Sequence, residues 1–268
     1  MLQHVGALNY HVNKPCDSKC RFCFATFREL RGQLPVERGC ELISLLAENG
    51  AQKINFAGGE PTLHARTVML ADLCRAHGVR LIAARSPVEL TVVEASRRLA
   101  RRRAQAYLKV RRASTTKPGG EMAGHGRSTG LRAAIKLNTV VTSLTAHEDM
   151  SDFVRAVAPE RWKIFQVLPV EGQNDGSVEP LLIDDAAFRA FVARHARLEA
   201  DGVTLVPEDN DGMTDSYAMI DPLGRFFGNS GGKACNSEPI LDIGVARALA
   251  QVGFDVEKLV ERGGHYDW

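Results

Sequence analysis

The hydrophobic positions of this chain change period several times along its length. Leu8, Tyr10 and Val12 alternate with polar residues, which is typical of a half-buried strand, whereas the apolar residues between 36 and 48 return at helical spacing. Applied to the whole chain, these patterns predict strands at 8–12, 53–57, 79–83, 134–141, 162–168 and 203–206, and helices near 35–48, 65–77, 149–157, 184–199 and 242–252.

Strands, loops and helices alternate in this order, which indicates an α/β fold with a parallel sheet and crossover helices. We predict a partial (βα)6 barrel over residues 1–200 and a carboxyl-terminal extension over residues 201–268 that closes the active site. In such barrels the functional side chains lie at the carboxyl ends of the strands. The strand ends are therefore where candidate chemistry is sought.

Composition narrows the class of protein further. The 268 residues are 44% apolar and 25% charged, enough for one large core. No run of about eighteen apolar residues occurs, and the first residues lack the pattern of a signal peptide, so we expect a soluble, cytoplasmic protein that does not bind membranes. Six cysteines are too few for a disulfide scaffold, and three of them crowd into residues 16–23, which suits metal binding in a reducing compartment.

Cys16, Cys20 and Cys23 form a CxxxCxxC loop just beyond the first predicted strand. Three thiolates can hold three corners of a four-iron cluster and leave one iron open to another ligand, whereas clusters that only carry electrons usually have four cysteines. A structural zinc site needs a fourth ligand, and neither His11 nor a second cysteine pair supplies one at the usual spacing. The motif therefore favours a [4Fe–4S] cluster over zinc.

The second predicted strand ends at Gly58-Gly59-Glu60-Pro61. Two glycines allow the backbone to approach a ligand closely, and the Glu60 carboxylate can accept a hydrogen bond from an amino group. Alone, the string is also typical of an ordinary tight turn. Beside the cysteine loop, it is better explained as part of a cofactor site.

Three predicted strands carry cationic or amide residues two positions apart. The pairs are Lys53 and Asn55, Lys136 and Asn138, and Arg161 and Lys163. Residues two apart share a face of a strand, so all three pairs can point into one cavity. Buried cations require an anion, and a triphosphate is a natural candidate. Exposed, solvated side chains are the alternative explanation, and three aligned pairs make it the weaker one.

CxxxCxxC, Phe22 between its last two cysteines, and the GGEP string together resemble the radical S-adenosylmethionine (SAM) superfamily. The resemblance implies that Cys16, Cys20 and Cys23 bind a [4Fe–4S] cluster and that Phe22 and Gly58–Pro61 bind SAM. It also implies cleavage of SAM to methionine and a 5′-deoxyadenosyl radical, with flavodoxin or ferredoxin as the electron donor. In such enzymes the cofactor performs the difficult chemistry, and the protein orients the substrate and excludes water.

Later strings narrow the resemblance to the viperin family and its prokaryotic members, over residues 5–83 and 134–268. They are Val206-Pro207-Glu208-Asp209-Asn210, Asp215-Ser216-Tyr217, Ile240-Leu241-Asp242-Ile243-Gly244-Val245, and the ending Arg262-Gly263-Gly264-His265-Tyr266-Asp267-Trp268. The family resemblance implies a lyase that dehydrates a ribonucleoside triphosphate (CTP, UTP or GTP) to its 3′-deoxy-3′,4′-didehydro analogue, for antiviral, here anti-phage, defence. It also implies that the three strand pairs bind substrate and that Tyr217 supplies an electron or proton; packing in the core is the alternative for Tyr217.

The segment 84–133 departs from this pattern. Residues 84–132 contain ten Arg and two Lys against three Glu, a net charge of +9, while the rest of the chain has a net charge of −7. The segment lacks the alternating apolar strands that a barrel needs and the family's Asn-Gly and Asp-Ser strand ends. We hypothesise that it is translated out of frame. A basic insertion that binds nucleic acid is the alternative, which the near absence of aromatic residues weakens.

Two further functions therefore stay open beside the nucleotide dehydratase. One is another radical SAM reaction on a nucleoside or a peptide. The other is a catalytically inert iron–sulfur or nucleic-acid-binding protein, if the central segment has removed essential strands. The base of the nucleotide is not indicated by any spacing in the sequence.

Overall fold

The computed structural model describes residues 2–5, 7–16, 18–64, 67–85, 106–112 and 133–264. Its strands are β1 (Leu8–His11), β2 (Lys53–Ala57), β3 (Arg80–Arg85), β4 (Ala106–Arg112), β5 (Ala133–Val141), β6 (Arg161–Gln166), β7 (Thr204–Glu208), β8 (Ala218–Ile220), β9 (Arg225–Gly228) and β10 (Cys235–Pro239). They form one sheet in the order β10-β9-β8-β1-β2-β3-β4-β5-β6-β7.

Most of the helices pack in apolar clusters against the outer face of the sheet. They are α1 (Val36–Glu48), α2 (Thr67–Ala76), α3 (Ser151–Val157), α4 (Asp185–His195), α5 (Asn210–Met213), α6 (Ile240–Ile243), α7 (Val245–Ala250) and α8 (Val256–Glu261), with short 3-10 turns at Leu2–His4, Pro61–Leu63, Glu179–Leu181, Ala196–Glu199 and Ser230–Gly232. Among the described residues, no helix has both the length and the apolar character needed to cross a bilayer.

The predicted α/β class is confirmed, and six strands, β1, β2, β3, β5, β6 and β7, run in one direction as expected. Between β3 and β5, however, β4 is antiparallel to both neighbours. The segment 84–133 therefore contains a strand, although its direction is not that of a (βα) barrel strand. The alternation of Leu108 and Val110 with polar residues is present, but the surrounding arginines obscured it. The remaining predictions for this segment fall on 86–105 and 113–132, outside the described residues.

On β1, β2, β5 and β6, apolar side chains point outward and mostly polar side chains point inward. On the outer side, Leu42, Ile43 and Leu46 of α1 are fully buried in the cluster that contains Ile54 and Phe56 of β2. Each such side chain contributes about 1.5–3 kcal/mol by leaving water. A second outer cluster packs β5 and β6 against α3 and α4. The outer clusters thus fix the strands whose inner faces carry the polar residues.

The carboxyl-terminal part adds a hairpin to the edge of the sheet. β8 pairs with β1 in parallel, and β8 and β9 are joined through the predicted turn at Asp221–Gly224. The helix predicted at 242–252 is interrupted, because Gly244 has φ of 81° and separates α6 from α7. Only glycine adopts this left-handed conformation without steric cost.

Candidate active site

A cavity of about 570 Å³ lies against the inner face of the sheet. Its wall follows the period of the strands, with residues two apart on β1, β2, β5 and β6. These are Asn9 and His11, Asn55 and Ala57, Lys136, Asn138 and Val140, and Lys163 and Phe165. Strands that are far apart in the sheet order thus contribute to one cavity, so the sheet is strongly curved.

All three cysteines of the motif line this cavity. Cys16 is exposed, and Cys20 and Cys23 are half-buried. Among the described residues, no three Cys, His, Asp or Glu side chains converge on a single metal ion. A cluster places different demands on its ligands, because each thiolate binds a separate iron.

Burial, with smaller contributions from Cys20 and Cys16, raises the pKa of Cys23 to about 11. Its sulfur is therefore a neutral thiol at pH 7 unless a cation stabilises the thiolate. Iron would supply that cation, and binding would release the proton. Three thiols on one loop beside an open cavity are a suitable donor set for a cluster with one free iron.

The Gly58–Pro61 string also lines the cavity, and it is bonded to the start of the cysteine loop. Gly59 donates its N–H to the Asn13 carbonyl at 2.9 Å, and Glu60 donates its N–H to Pro15 at 2.8 Å. A Cβ on Gly59 would lie 2.1 Å from the Pro15 oxygen. In this structure the glycine is therefore required by close approach to the cysteine loop, rather than by approach to a ligand as the sequence suggested. Glu60 itself is buried at the cavity wall.

The predicted substrate residues divide into two groups. Asn55, Lys136, Asn138 and Lys163 line the cavity, whereas Lys53 and Arg161 are not among its lining residues.

Lys53 and Arg161 are the first residues of β2 and β6. They share a face with Asn55 and Lys163, but a strand rises about 3.3 Å per residue, so they lie deeper, at the amino-terminal ends. Arg161 donates from Nη2 to the Gly263 carbonyl at 2.9 Å. These two members of the pairs therefore do not lie on the cavity wall, unlike the other four.

Tyr217 precedes β8 and lines the cavity opposite Lys163. Its hydroxyl donates to Oε2 of Glu208 and receives a hydrogen bond from Lys163 Nζ at 2.8 Å. The Arg262 guanidinium lies 3.7 Å above the Tyr217 ring and 3.3 Å from Oε1 of Glu208. Because β7 and β8 are not neighbours in the sheet order, these contacts connect its two distant parts across the cavity.

Glu208 holds this group of side chains together. Its side chain is fully buried, and Lys163 forms an ion pair with it. Burial alone would raise the pKa of Glu208, but the charges of Lys163 and Arg262 and the hydrogen bonds from Lys163 and Tyr217 lower it below the usual range. The carboxylate is therefore ionised at neutral pH. Lys163 consequently has a protein counter-charge, which sequence reasoning did not anticipate.

The cavity wall remains strongly positive. Among the described residues that line it, the charged ones are the cations Lys14, Lys19, Lys136, Lys163 and Arg262 and the acid Glu60. Even with Glu208 behind Lys163, cations exceed acids, so the cavity favours an anionic ligand. Arg262 and Glu208 were not predicted as site residues, because they were noted only as parts of the strings that carried the family resemblance. The available signal was their position: Arg262 is a charged residue next to Gly263-Gly264, and Glu208 is a charged residue at the end of β7.

Solved structures with a similar fold include two proteins with bound S-adenosylmethionine. SuiB from Streptococcus suis bound to S-adenosylmethionine matches with a TM-score of 0.57 and 14% identity, over 82% of this chain and 59% of that chain. Native anSMEcpe with bound AdoMet and the Kp18Cys peptide matches with a TM-score of 0.56 and 12% identity, over 96% and 82%. At this identity the likeness concerns the fold alone.

Sequence relatives are considerably more similar. The chain is 33% identical to an S-adenosylmethionine-dependent nucleotide dehydratase of Flammeovirga pacifica, over 98% of this chain and 96% of that protein. It is 32% identical to the S-adenosylmethionine-dependent nucleotide dehydratase RSAD2 of Oncorhynchus mykiss, over 98% and 80%. A relative with the same name from Psychrobacter lutiphocae is 30% identical over 95% and 93%.

The family model of the radical SAM superfamily matches residues 12–112, which include the cysteine loop and Gly58–Pro61. The nearly full-length relatives extend this relationship to the cavity residues of β5, β6 and Tyr217. The chain therefore belongs to the radical SAM superfamily and, within it, to the family of S-adenosylmethionine-dependent nucleotide dehydratases.

Proposed function

We propose that this protein binds a [4Fe–4S] cluster through Cys16, Cys20 and Cys23 and dehydrates a ribonucleoside triphosphate at the cavity. The product would be the 3′-deoxy-3′,4′-didehydro nucleotide. A role in anti-phage defence accords with the name of the vertebrate relatives. Flavodoxin or ferredoxin is the proposed electron donor.

One observation carries the proposal. The three cysteines, Gly58–Pro61 and the polar residues of β2, β5 and β6 all line the same 570 Å³ cavity. Cluster, SAM and substrate would therefore meet within one space, which is the geometric requirement for hydrogen transfer between them. The names of the relatives and the SAM-bound neighbours support the same cofactor.

When bound, the cluster and SAM supply the radical chemistry that removes a hydrogen atom from the substrate. The protein positions the two ligands. Glu60 offers a carboxylate at the cavity wall for the amino group of SAM. Phe22 also lines the cavity and packs against Val167, Val178 and Leu181.

The proposed direct substrate contacts are Asn55, Lys136, Asn138 and Lys163. Lys136 is a cation at the wall and is suited to a phosphate group. None of the described residues donates a hydrogen bond to the buried side-chain oxygen of Asn138, so it can accept one from a substrate hydroxyl or amino group. Lys53 and Arg161 do not line the cavity, and we assign them no direct contact.

Tyr217 is the proposed proton source for the departing 3′ hydroxyl. Its phenolic oxygen lies between a donor, Lys163 Nζ, and an acceptor, Glu208. A proton leaving Tyr217 can be replaced from Lys163 along the 2.8 Å hydrogen bond. Both partners of the phenol are buried, so water competes little with this transfer.

Anaerobic reconstitution followed by incubation with SAM, a reductant and each ribonucleoside triphosphate separately tests the proposal. Formation of 5′-deoxyadenosine only with a triphosphate, together with loss of water from that nucleotide, is the expected result. Cleavage of SAM without any nucleotide would indicate another radical SAM reaction. Absence of cleavage with an intact cluster would indicate an inert protein.

The segment 84–133 bears on this outcome. The direction of β4 supports the out-of-frame hypothesis, because a strand of a (βα) barrel would run parallel to β3 and β5. Resequencing the gene tests the hypothesis, and an intact single frame in which no shifted reading restores the Asn-Gly or Asp-Ser strand ends would refute it.

A further inference from the structure

The carboxyl-terminal limb of the cysteine loop, residues 22–28, is held by a second loop, residues 170–178, which follows β6. We propose that Gln173 and Asn174 of this loop are positioning residues that keep the Cys23 limb in its cluster-binding conformation. The inference rests on the proposed cluster site. It assigns a role to two residues that do not line the cavity.

Asn174 connects three segments of backbone. Its amide nitrogen donates to the carbonyls of Leu168 at 2.8 Å and Phe22 at 3.3 Å, and its oxygen accepts from the N–H of Val170 at 2.8 Å. The residue is only 1% exposed. Phe22 lies immediately before Cys23, so the position of this cysteine is tied to the end of β6 by one buried side chain.

Gln173 binds the other end of the same limb. Its side-chain Oε1 accepts hydrogen bonds from the N–H of Phe27 at 2.8 Å and from the hydroxyl of Thr26 at 3.1 Å. Its backbone carbonyl accepts a second bond from the same hydroxyl at 2.8 Å. Arg28 adds a bond to the Asp175 carbonyl at 2.7 Å, but its carboxylate contact is exposed and contributes little.

The conformation held in this way is a costly one. Phe27 has φ of 50°, a left-handed backbone that bulky residues adopt only when neighbouring contacts impose it. Packing of its ring against His11 and Phe227 supplies part of this constraint, and the bond to Gln173 supplies the rest. Without Gln173, the limb is expected to relax and to move Cys23 relative to Cys16 and Cys20.

The loop itself has a fixed position. Glu171 exchanges backbone hydrogen bonds with Gly232 and Ala234 at 2.9 and 3.0 Å, and Val178 and Leu181 are buried against Phe22. Through Glu171, the loop 170–178 is therefore anchored to a part of the chain outside the cysteine loop. This anchor allows the loop to position the cysteine limb.

Two measurements test the proposal, one with the cluster and one without it. In reconstituted protein, Gln173→Ala and Asn174→Ala should lose iron to a chelator at least about fivefold faster than wild type, which corresponds to about 1 kcal/mol. Gln173→Glu keeps both accepted hydrogen bonds and should restore the wild-type rate. Gln251→Ala, which removes an exposed glutamine bonded to Glu238, is the matched control and should have no effect.

In the apo protein, alkylation of Cys23 should accelerate in Gln173→Ala relative to the exposed Cys16, as followed by mass spectrometry. Iron release and Cys23 alkylation that match wild type in both alanine variants would overturn the proposal. If one alanine variant fails to fold, iron release and Cys23 alkylation in the other alanine variant decide. A wild-type chain that takes up no cluster would refute the proposed function as well.

Discussion

The replacement Glu208→Gln removes the buried negative charge that Lys163 and Arg262 share. Both cations contact this carboxylate, and their side chains are only 4% and 7% exposed. The variant keeps the shape of the side chain and an acceptor for Tyr217. It removes the counter-charge that Glu208 provides to these two nearly buried cations.

Breaking a buried ion pair from one side costs about 3–5 kcal/mol, because the remaining charge stays desolvated. We expect the free energy of unfolding to fall by this amount at pH 7. The folded state lowers the pKa of Glu208, so its contribution is complete above the ordinary carboxyl pKa of about 4.3 and is lost as pH falls through the lowered value. The difference between wild type and variant should therefore shrink below about pH 4.

Urea denaturation followed by circular dichroism measures this difference. Glu171→Gln, which removes the carboxylate of an exposed pair with Lys233, is the control and should change stability by less than about 1 kcal/mol. Added nucleoside triphosphate should restore more stability to Glu208→Gln than to wild type, since its phosphates replace the missing charge. A loss below about 1 kcal/mol at pH 7, or equal stabilisation of both proteins by the nucleotide, would show that Glu208 does not act as the counter-charge of Lys163 and Arg262.

Three other replacements probe separate parts of the molecule. Lys136→Ala should raise the KM for the triphosphate about tenfold or more while the absorption of the cluster is unchanged; an unchanged KM would exclude Lys136 as a phosphate contact. Gly59→Ala should prevent stable cluster assembly because its Cβ meets the Pro15 oxygen, and wild-type iron content would contradict this. Burial lowers the pKa of His195, so the unfolded chain binds a proton there more readily than the folded protein does. The free energy of unfolding of wild type should therefore decline by up to about 1.4 kcal/mol per pH unit as pH falls below about 6.5. In urea titrations at several pH values, His195→Gln should show a smaller decline.

Much of the fold followed from sequence periodicity, because the central strands alternate between a packed outer face and a polar inner face. β2 was predicted with its observed bounds, and β1, β5 and β6 within two residues at either end. The interruption at Gly244 was missed, since the periodicity on both sides is helical and only the backbone angle reveals the break. β4 was missed because a local excess of arginine is also typical of an irregular segment.

The sequence predicted which residues face the interior of the sheet, but not how close each one lies to the cavity. The alternation of side chains along a strand places Lys53 and Arg161 on the inner face, yet it does not say how far each residue lies from the carboxyl-terminal end of its strand. The pairing of Lys163 with Glu208 could not be inferred either, because contacts between β6 and β7 depend on the register of the sheet. Long-range contacts of this kind determine which cations remain available to a ligand.

We propose that the 5′-deoxyadenosyl radical supplied by SAM would take the 4′ hydrogen of a nucleoside triphosphate held by Lys136 and its neighbours. The measurement is made with a triphosphate that carries deuterium at C4′. The expected products are 5′-deoxyadenosine that carries the deuterium and a nucleotide that has lost water. Unlabelled 5′-deoxyadenosine beside unchanged nucleotide would exclude this hydrogen transfer.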